Sequence, residues 1–102
     1  MSHAVAESMR QDKPRLVFFY SADSGRCRRV EGFLAQVLQQ RKNHETFQLY
    51  RVDHKQRPDL AERFNVERVP TLYVVEDKRV LARLDDPRGC RDIQRFLQPW
   101  LA

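Results

Sequence analysis

The sequence of 102 residues has little of several features that mark specialised protein classes. Two cysteines, Cys27 and Cys90, are too few for a disulfide-rich scaffold. No stretch approaches the roughly 20 consecutive apolar residues of a membrane span, and residues 1–14 lack the apolar run of a signal peptide. With 41% apolar and 32% charged residues, the composition excludes a disordered tail. We therefore expect a cytoplasmic domain with reduced thiols and no membrane contact.

Positive charge is abundant instead. The formal net charge is +5, and 15 of the 19 basic residues are arginine. Arginine suits bidentate recognition of carboxylates and phosphates, and the expected partner is an acidic or anionic protein or peptide. Codon bias in a GC-rich genome is nevertheless the favoured explanation of the arginine content as a whole. The basic residues are spread along the chain and do not form a tail, which makes a nucleic-acid partner the less favoured interpretation.

The hydrophobic pattern predicts alternating helices and strands. RLVFFYS, residues 15–21, is a continuous apolar run typical of a strand buried on both faces. Apolar residues at spacings of three and four predict a long amphipathic helix over residues 24–42. The other predicted elements are a short helix at 3–12, strands at 46–53, 70–75 and 78–84, a helix at 57–64 and a final helix starting near 86–89.

This order of elements indicates one α/β domain over residues 1–102, with residues 1–14 as a short helical extension. Strand, helix and strand in succession predict a parallel pair with a right-handed crossover. The closing hairpin adds antiparallel strands. The result is a mixed four-stranded sheet flanked by helices on both faces, in three α/β/α layers.

Three segments of the chain resemble the thioredoxin family. FFYSADSGRC places a C-x-x-C-type position between a strand and a long helix. VDHKQRPDLAERFNVERVPT is similar to the family pattern V-D-x4-P-[DE]-L-A-x2-[FY]-x-V-x2-[IV]-P-T, without gaps. The two last strands and the last helix complete a resemblance that covers residues 15–102. It implies a thioredoxin-like fold.

The resemblance also implies a peptide-binding edge at Val69, Pro70 and Thr71. In the family the bond before this proline is cis, and the backbone of the preceding residue pairs with an extended peptide. Cis bonds are costly except before proline, so the VPT sequence permits one. Pairing of this kind is strand addition, in which main-chain hydrogen bonds supply affinity.

The active-site positions depart from the family pattern W-C-G-x-C. They read DSGRC here, which puts Ser24 at the position of the attacking cysteine and Cys27 at that of the resolving cysteine. Phe18 stands at the position of the family's buried acid, and Asp23 at that of its indole. Thiol–disulfide exchange needs a thiolate, which a serine cannot provide. We therefore expect no dithiol disulfide reductase activity.

Ser24 and Cys27 each have two interpretations. Ser24 is a good helix N-cap, and no motif places a His–acid pair to activate it as a catalytic nucleophile. Cys27 lies on one apolar stripe with Val30 and Leu34, which favours a buried, inert side chain. The alternative is a single reactive thiol whose thiolate is favoured by the helix N-terminus and the neighbouring arginines.

Arg26, Arg28 and Arg29 lie in the first turns of the predicted long helix. The start of a helix carries partial positive charge, so cations there are unfavourable unless an anion lies nearby. They form either a solvated basic face or a site in which N–H groups and guanidinium groups bind a carboxylate or phosphate. Cys90 begins the last helix, and we expect no disulfide between it and Cys27.

The favoured function is therefore a redox-inactive thioredoxin-like module that binds a protein or peptide between the SGRC and VPT segments. The first alternative is a single-thiol oxidoreductase, acting in thiol–disulfide or glutathione-linked chemistry through Cys27. The second is a basic binder of polyanions or nucleic acid. No cofactor and no metal ion is expected, and the sequence leaves the partner and the oligomeric state undetermined.

Overall fold

A computed structural model of the chain describes residues 13–40 and 46–101. These residues form four strands and three helices, and a short 3-10 turn follows the last helix. In chain order the elements are β1 (Arg15–Tyr20), α1 (Gly25–Gln39), β2 (Gln48–Asp53), α2 (Pro58–Arg63), β3 (Thr71–Glu76), β4 (Arg79–Asp85), α3 (Cys90–Leu97) and the turn Gln98–Trp100. The predicted helix over residues 3–12 lies outside the described residues.

The four strands form one sheet in the order β2-β1-β3-β4. Strands β1 and β2 are parallel, whereas β3 is antiparallel to both β1 and β4. This confirms the predicted mixed sheet. The β3–β4 connection is a tight turn in which Asp77 and Lys78 both have positive φ, at 52° and 64°. Two successive residues with positive φ give the backbone twist that two-residue hairpins favour.

One face of the sheet packs against α1 and α3. Alternate residues of β1 and β3 point to this side, since side chains along a strand alternate between its faces. The apolar stripe of α1 covers them, with Val30, Leu34 and Val37 at most 2% exposed. Helix α3 adds Ile93 and Leu97, both fully buried. The larger hydrophobic cluster of the domain lies here.

The opposite face packs against the segment around α2. Its smaller cluster contains Val17, Phe19, Tyr73 and Val75, with residues of α2 and the following loop packed against them. The Tyr73 ring meets that of Phe19 edge-on, with centroids 5.6 Å apart. The two faces together confirm the three-layer α/β/α prediction. No helix in residues 13–40 and 46–101 has the length and apolar character to cross a bilayer.

Candidate functional site

The candidate site lies where β1 ends and α1 begins. The Ser24 amide donates a 3.1 Å hydrogen bond to the carbonyl of Ser21, which closes the turn between the strand and the helix. The Ser24 backbone is extended, and its carbonyl accepts from Arg28 N–H as the helix begins. This short, hydrogen-bonded connection positions residues 24–27 at one edge of the sheet.

The hydroxyl of Ser24 caps the helix. Its Oγ accepts a 3.1 Å hydrogen bond from the backbone N–H of Cys27. The first four N–H groups of a helix have no partner within the helix, and a side-chain oxygen at the N-cap satisfies one of them. The geometry favours the N-cap interpretation of Ser24, because its Oγ is directed at the backbone of the helix start.

Cys27 is buried, with 2% of its surface exposed. Its Sγ accepts a hydrogen bond from the Ser21 N–H at 3.4 Å. It also lines a cavity of about 280 Å³ together with Ser24, Arg28 and Glu31. The sulfur therefore faces the inner side of the helix start, and the little access it has runs through this cavity.

Cys90, the first residue of α3, is a free thiol. Its side chain contacts α1 at a point away from Cys27. Its Sγ is 3.8 Å from the Phe33 carbonyl oxygen and 3.4 Å from Gln36 Oε1. Those residues follow Cys27 by six and nine positions, or about 9 and 14 Å along a helix axis. Disulfide-bonded Cα atoms are about 4.4–6.8 Å apart. The structure thus agrees with the expected absence of a bridge, and both thiols are free.

The three arginines at the helix start do not act as one group. All are exposed, but Arg26 and Arg29 line a cavity beside the β4–α3 connection, whereas Arg28 lines the cavity next to Cys27. Arg26 forms a 2.6 Å ion pair with Asp86. Arg26 is therefore paired with a carboxylate of this chain, and its neighbours diverge because they leave the helix in different directions.

Asp86 is a site residue that the sequence analysis missed. Its φ of 50° lies in the left-handed region, which aspartate tolerates better than most residues. Its backbone N–H donates a 2.8 Å hydrogen bond to the Pro70 carbonyl, while its carboxylate binds Arg26. Asp86 thus connects the proline loop to the start of α1. Because β4 runs parallel to β1, their carboxyl ends meet at one sheet edge. The predicted order of elements implies this shared edge but does not identify the Arg26–Asp86 pair.

A second missed contact joins Asp23 to the loop after β2. Lys55 Nζ lies 2.9 Å from Asp23 Oδ2, with both side chains exposed. The hydrogen bond from Lys55, together with its charge, lowers the pKa of Asp23 below its ordinary value. The Asp23 carboxylate therefore forms an exposed ion pair with the lysine of the loop after β2.

The proline loop comes directly before β3. The Val69–Pro70 peptide bond is cis. Val69 is half-buried, and within the described part of the chain no hydrogen bond involves its backbone N–H or carbonyl. Thr71 is fully buried, and its hydroxyl donates to the Arg68 carbonyl at 2.7 Å. The side chain of Thr71 is therefore not accessible to a bound peptide.

Phe18, at the position of the family's buried acid, is fully buried in the larger hydrophobic cluster. It stacks on Tyr20 with ring centroids 5.6 Å apart and has no group that can transfer a proton. Among residues 13–40 and 46–101, no three His, Cys, Asp or Glu side chains are arranged to hold a metal ion. Fold and site together define a thioredoxin-fold domain in which Ser24 caps the helix and Cys27 is buried.

Comparison with known proteins agrees with this description. A family model described as Thioredoxin matches residues 2–99, so the chain belongs to the thioredoxin family. The search of curated proteins gave no match. Among solved structures, Fasciola hepatica thioredoxin aligns with a TM-score of 0.78 at 15% identity, over 97% of this chain and 91% of that chain.

Two other solved structures are similar to the same extent. Trxlp from Edwardsiella tarda has a TM-score of 0.76 at 20% identity, with 91% of each chain covered. The germline-specific thioredoxin Deadhead of Drosophila melanogaster has a TM-score of 0.76 at 20% identity, covering 97% of this chain and 91% of that one. At these identities the likeness establishes the fold alone.

Proposed function

We propose that this thioredoxin-family chain is a redox-inactive module that binds an acidic protein or peptide segment beside its proline loop. The observation that carries the proposal is the state of the two C-x-x-C positions. Ser24 uses its hydroxyl as a helix cap, and Cys27 is buried beneath it. In this proposal the chain offers its partner a binding surface at this edge of the sheet. It offers no pair of thiols that could take part in thiol–disulfide exchange.

Main-chain recognition at Val69 supports the binding part of the proposal. Its N–H and carbonyl have no hydrogen-bond partner within the described residues, although the residue is half-buried. A partner strand that pairs with these groups therefore adds main-chain hydrogen bonds, which supply affinity. The exposed guanidinium group of Arg28 at the start of α1 favours acidic side chains in that strand.

Redox inactivity is tested by insulin reduction with dithiothreitol as the electron source. We expect turnover no faster than dithiothreitol alone, because Ser24 cannot form the mixed disulfide. A Ser24→Ala variant is the matched control and should give the same rate. Turnover comparable to that of an ordinary thioredoxin would contradict the proposal.

The single-thiol alternative is tested by alkylation of Cys27 in a Cys90→Ser background, which removes the other thiol. Burial predicts that iodoacetamide modifies Cys27 far more slowly in the folded protein than in urea, because the reagent has to reach a sulfur with little access. Modification at similar rates in the two states would favour a reactive thiol at Cys27 and a one-thiol oxidoreductase.

Binding is tested by NMR titration with extended acidic peptides, using the Val69 amide as the reporter. The same peptides with Asp and Glu replaced by Asn and Gln are the control. We expect the Val69 amide resonance to shift, and acidic peptides to bind more tightly at low salt. Duplex DNA that binds with a steep salt dependence and leaves the Val69 amide unchanged would instead favour the polyanion alternative.

A further inference from the structure

We propose that the cavity between α1 and the β4–α3 connection binds a peptide carboxylate that neighbours an apolar side chain. This inference rests on the proposed function in one respect, that the partner is a peptide. It goes beyond it by assigning a pocket at the same sheet edge, lined in part by Arg26 and Asp86, and the chemistry of the residues that fill it. The pocket is called the Arg29–Arg88 cavity below.

The Arg29–Arg88 cavity has an apolar floor. Val30 of α1 is 1% exposed at its base, and Pro87 is buried beside it. Phe33, one turn after Arg29, is half-buried and completes the apolar lining. An apolar side chain placed here would remove both its own surface and the exposed part of Phe33 from water, which favours binding.

The rim of the cavity is cationic. Its charged lining residues are Arg26, Arg29, Arg88 and Asp86. Asp86 already pairs with Arg26 at 2.6 Å. The guanidinium groups of Arg29 and Arg88 have no ion pair or side-chain hydrogen bond within the described residues. Three cations and one anion leave a net charge of +2 around one opening, so the charge of the rim is complementary to a carboxylate.

Two arginines on different elements face the same opening. Arg29 projects from the second turn of α1, whereas Arg88 lies in the connection that leads into α3. The Arg88 backbone is held by a 2.9 Å hydrogen bond from its N–H to Asp92. Their convergence therefore arises from tertiary packing of α1 against this connection, and it does not depend on the helix N-terminus.

The size of the cavity limits what it can hold. Its volume is about 290 Å³, just below the roughly 300–1,000 Å³ of pockets that hold drug-sized ligands. A dinucleotide or a large cofactor does not fit, whereas one or two amino-acid side chains do. The mixed lining further selects a ligand with both an apolar and an anionic part. A peptide in which Asp or Glu neighbours an aromatic or aliphatic residue meets both requirements.

The experiment uses capped dipeptides and amide NMR spectra of the full chain. Acetyl-Asp-Phe-amide is the probe, acetyl-Asn-Phe-amide removes the charge, and acetyl-Asp-Gly-amide removes the apolar side chain. Inorganic phosphate tests whether an anion alone is enough. We expect acetyl-Asp-Phe-amide to bind most tightly and to shift the amide resonances of Arg29, Phe33 and Arg88. Added salt should weaken its binding.

The double substitution Arg29→Gln/Arg88→Gln should lower the affinity for acetyl-Asp-Phe-amide at least about threefold, because two exposed charge contacts are lost. Arg79→Gln/Arg95→Gln is the matched control, since it lowers the net charge equally at exposed arginines outside the cavity. This control should retain the affinity of the unmodified chain. Both variants should show the amide spectrum of a folded protein, because all four side chains are exposed.

Several results would overturn the inference. They are equal affinity for the Asn and Asp probes, equal weakening by the two double variants, phosphate binding as tight as the probe, or no shift at Arg29 and Arg88. The dipeptides are too short to form a strand beside Val69. A failure here is therefore distinguishable from a failure of the Val69 edge, which is read from longer peptides at the Val69 amide.

Discussion

Replacing Ser24 with alanine removes the oxygen that accepts the Cys27 N–H and should destabilise the domain. The hydrogen bond is 3.1 Å long, and the first turn of α1 contains no acidic residue that could substitute for it. Loss of an N-cap of this type costs about 1 kcal/mol. For a domain of this size, 1 kcal/mol lowers the melting temperature by about 4–8 °C. Thermal melts followed by circular dichroism, with urea unfolding in parallel, measure both quantities.

Ser24→Asp is the matched control for this prediction. Aspartate retains a side-chain acceptor at the N-cap, and its negative charge is favoured by the positive end of the helix by about 0.3–1 kcal/mol. This variant should therefore be at least as stable as the unmodified chain, although it lacks the hydroxyl. If Ser24→Ala melts at the unmodified temperature, or if both variants are equally destabilised, the N-cap role assigned to Ser24 is wrong.

Two further predictions concern the thiol positions and the buried tyrosine. Ser24→Cys should form a disulfide with Cys27 on oxidation, detected by mass spectrometry as the loss of two hydrogens within residues 24–27; failure to form it would count against the match to C-x-x-C geometry. Burial raises the pKa of Tyr73, whose hydroxyl donates to the Phe64 carbonyl at 2.5 Å. Its contribution to stability is therefore complete below the unfolded-state pKa of about 10 and is lost as the pH rises through the higher folded-state pKa. Urea unfolding at increasing alkaline pH should show a steeper loss of stability in the unmodified chain than in Tyr73→Phe, and equal slopes would refute the assignment.

The fold was largely predictable because its signals are local. The apolar run of β1 and the three-and-four spacing of α1 each report a periodic burial pattern, which arises from strand or helix geometry. The observed helix α1, Gly25–Gln39, and strand β1, Arg15–Tyr20, lie within the predicted 24–42 and 15–21. The end of α3 was less visible, because the chain continues from Leu97 into a 3-10 turn with Pro99.

The site was predictable only in part. Ser24 as an N-cap depends on its own residue type and on the helix that follows, so it could be inferred locally. The pairing of Arg26 with Asp86 joins residues 60 positions apart. The contact between Asp23 and Lys55 also spans a long separation, of 32 positions. Such contacts depend on which loops the sheet order brings to one edge, and no local pattern reports them.

By itself, the sequence determined the alternation of elements, the serine at the position of an attacking thiol, and the excess of arginine. Those features follow from residue type and from short-range spacing. The tertiary structure alone decided how the charges are used. Packing of the β4–α3 connection against α1 pairs Arg26 with Asp86 and brings Arg88 to the same cavity as Arg29, whereas Arg28 lies on the side of Cys27. The physical reason is that an ion pair or a pocket depends on distance in space. The fold brings together residues that are far apart along the chain, and local sequence patterns do not report those distances.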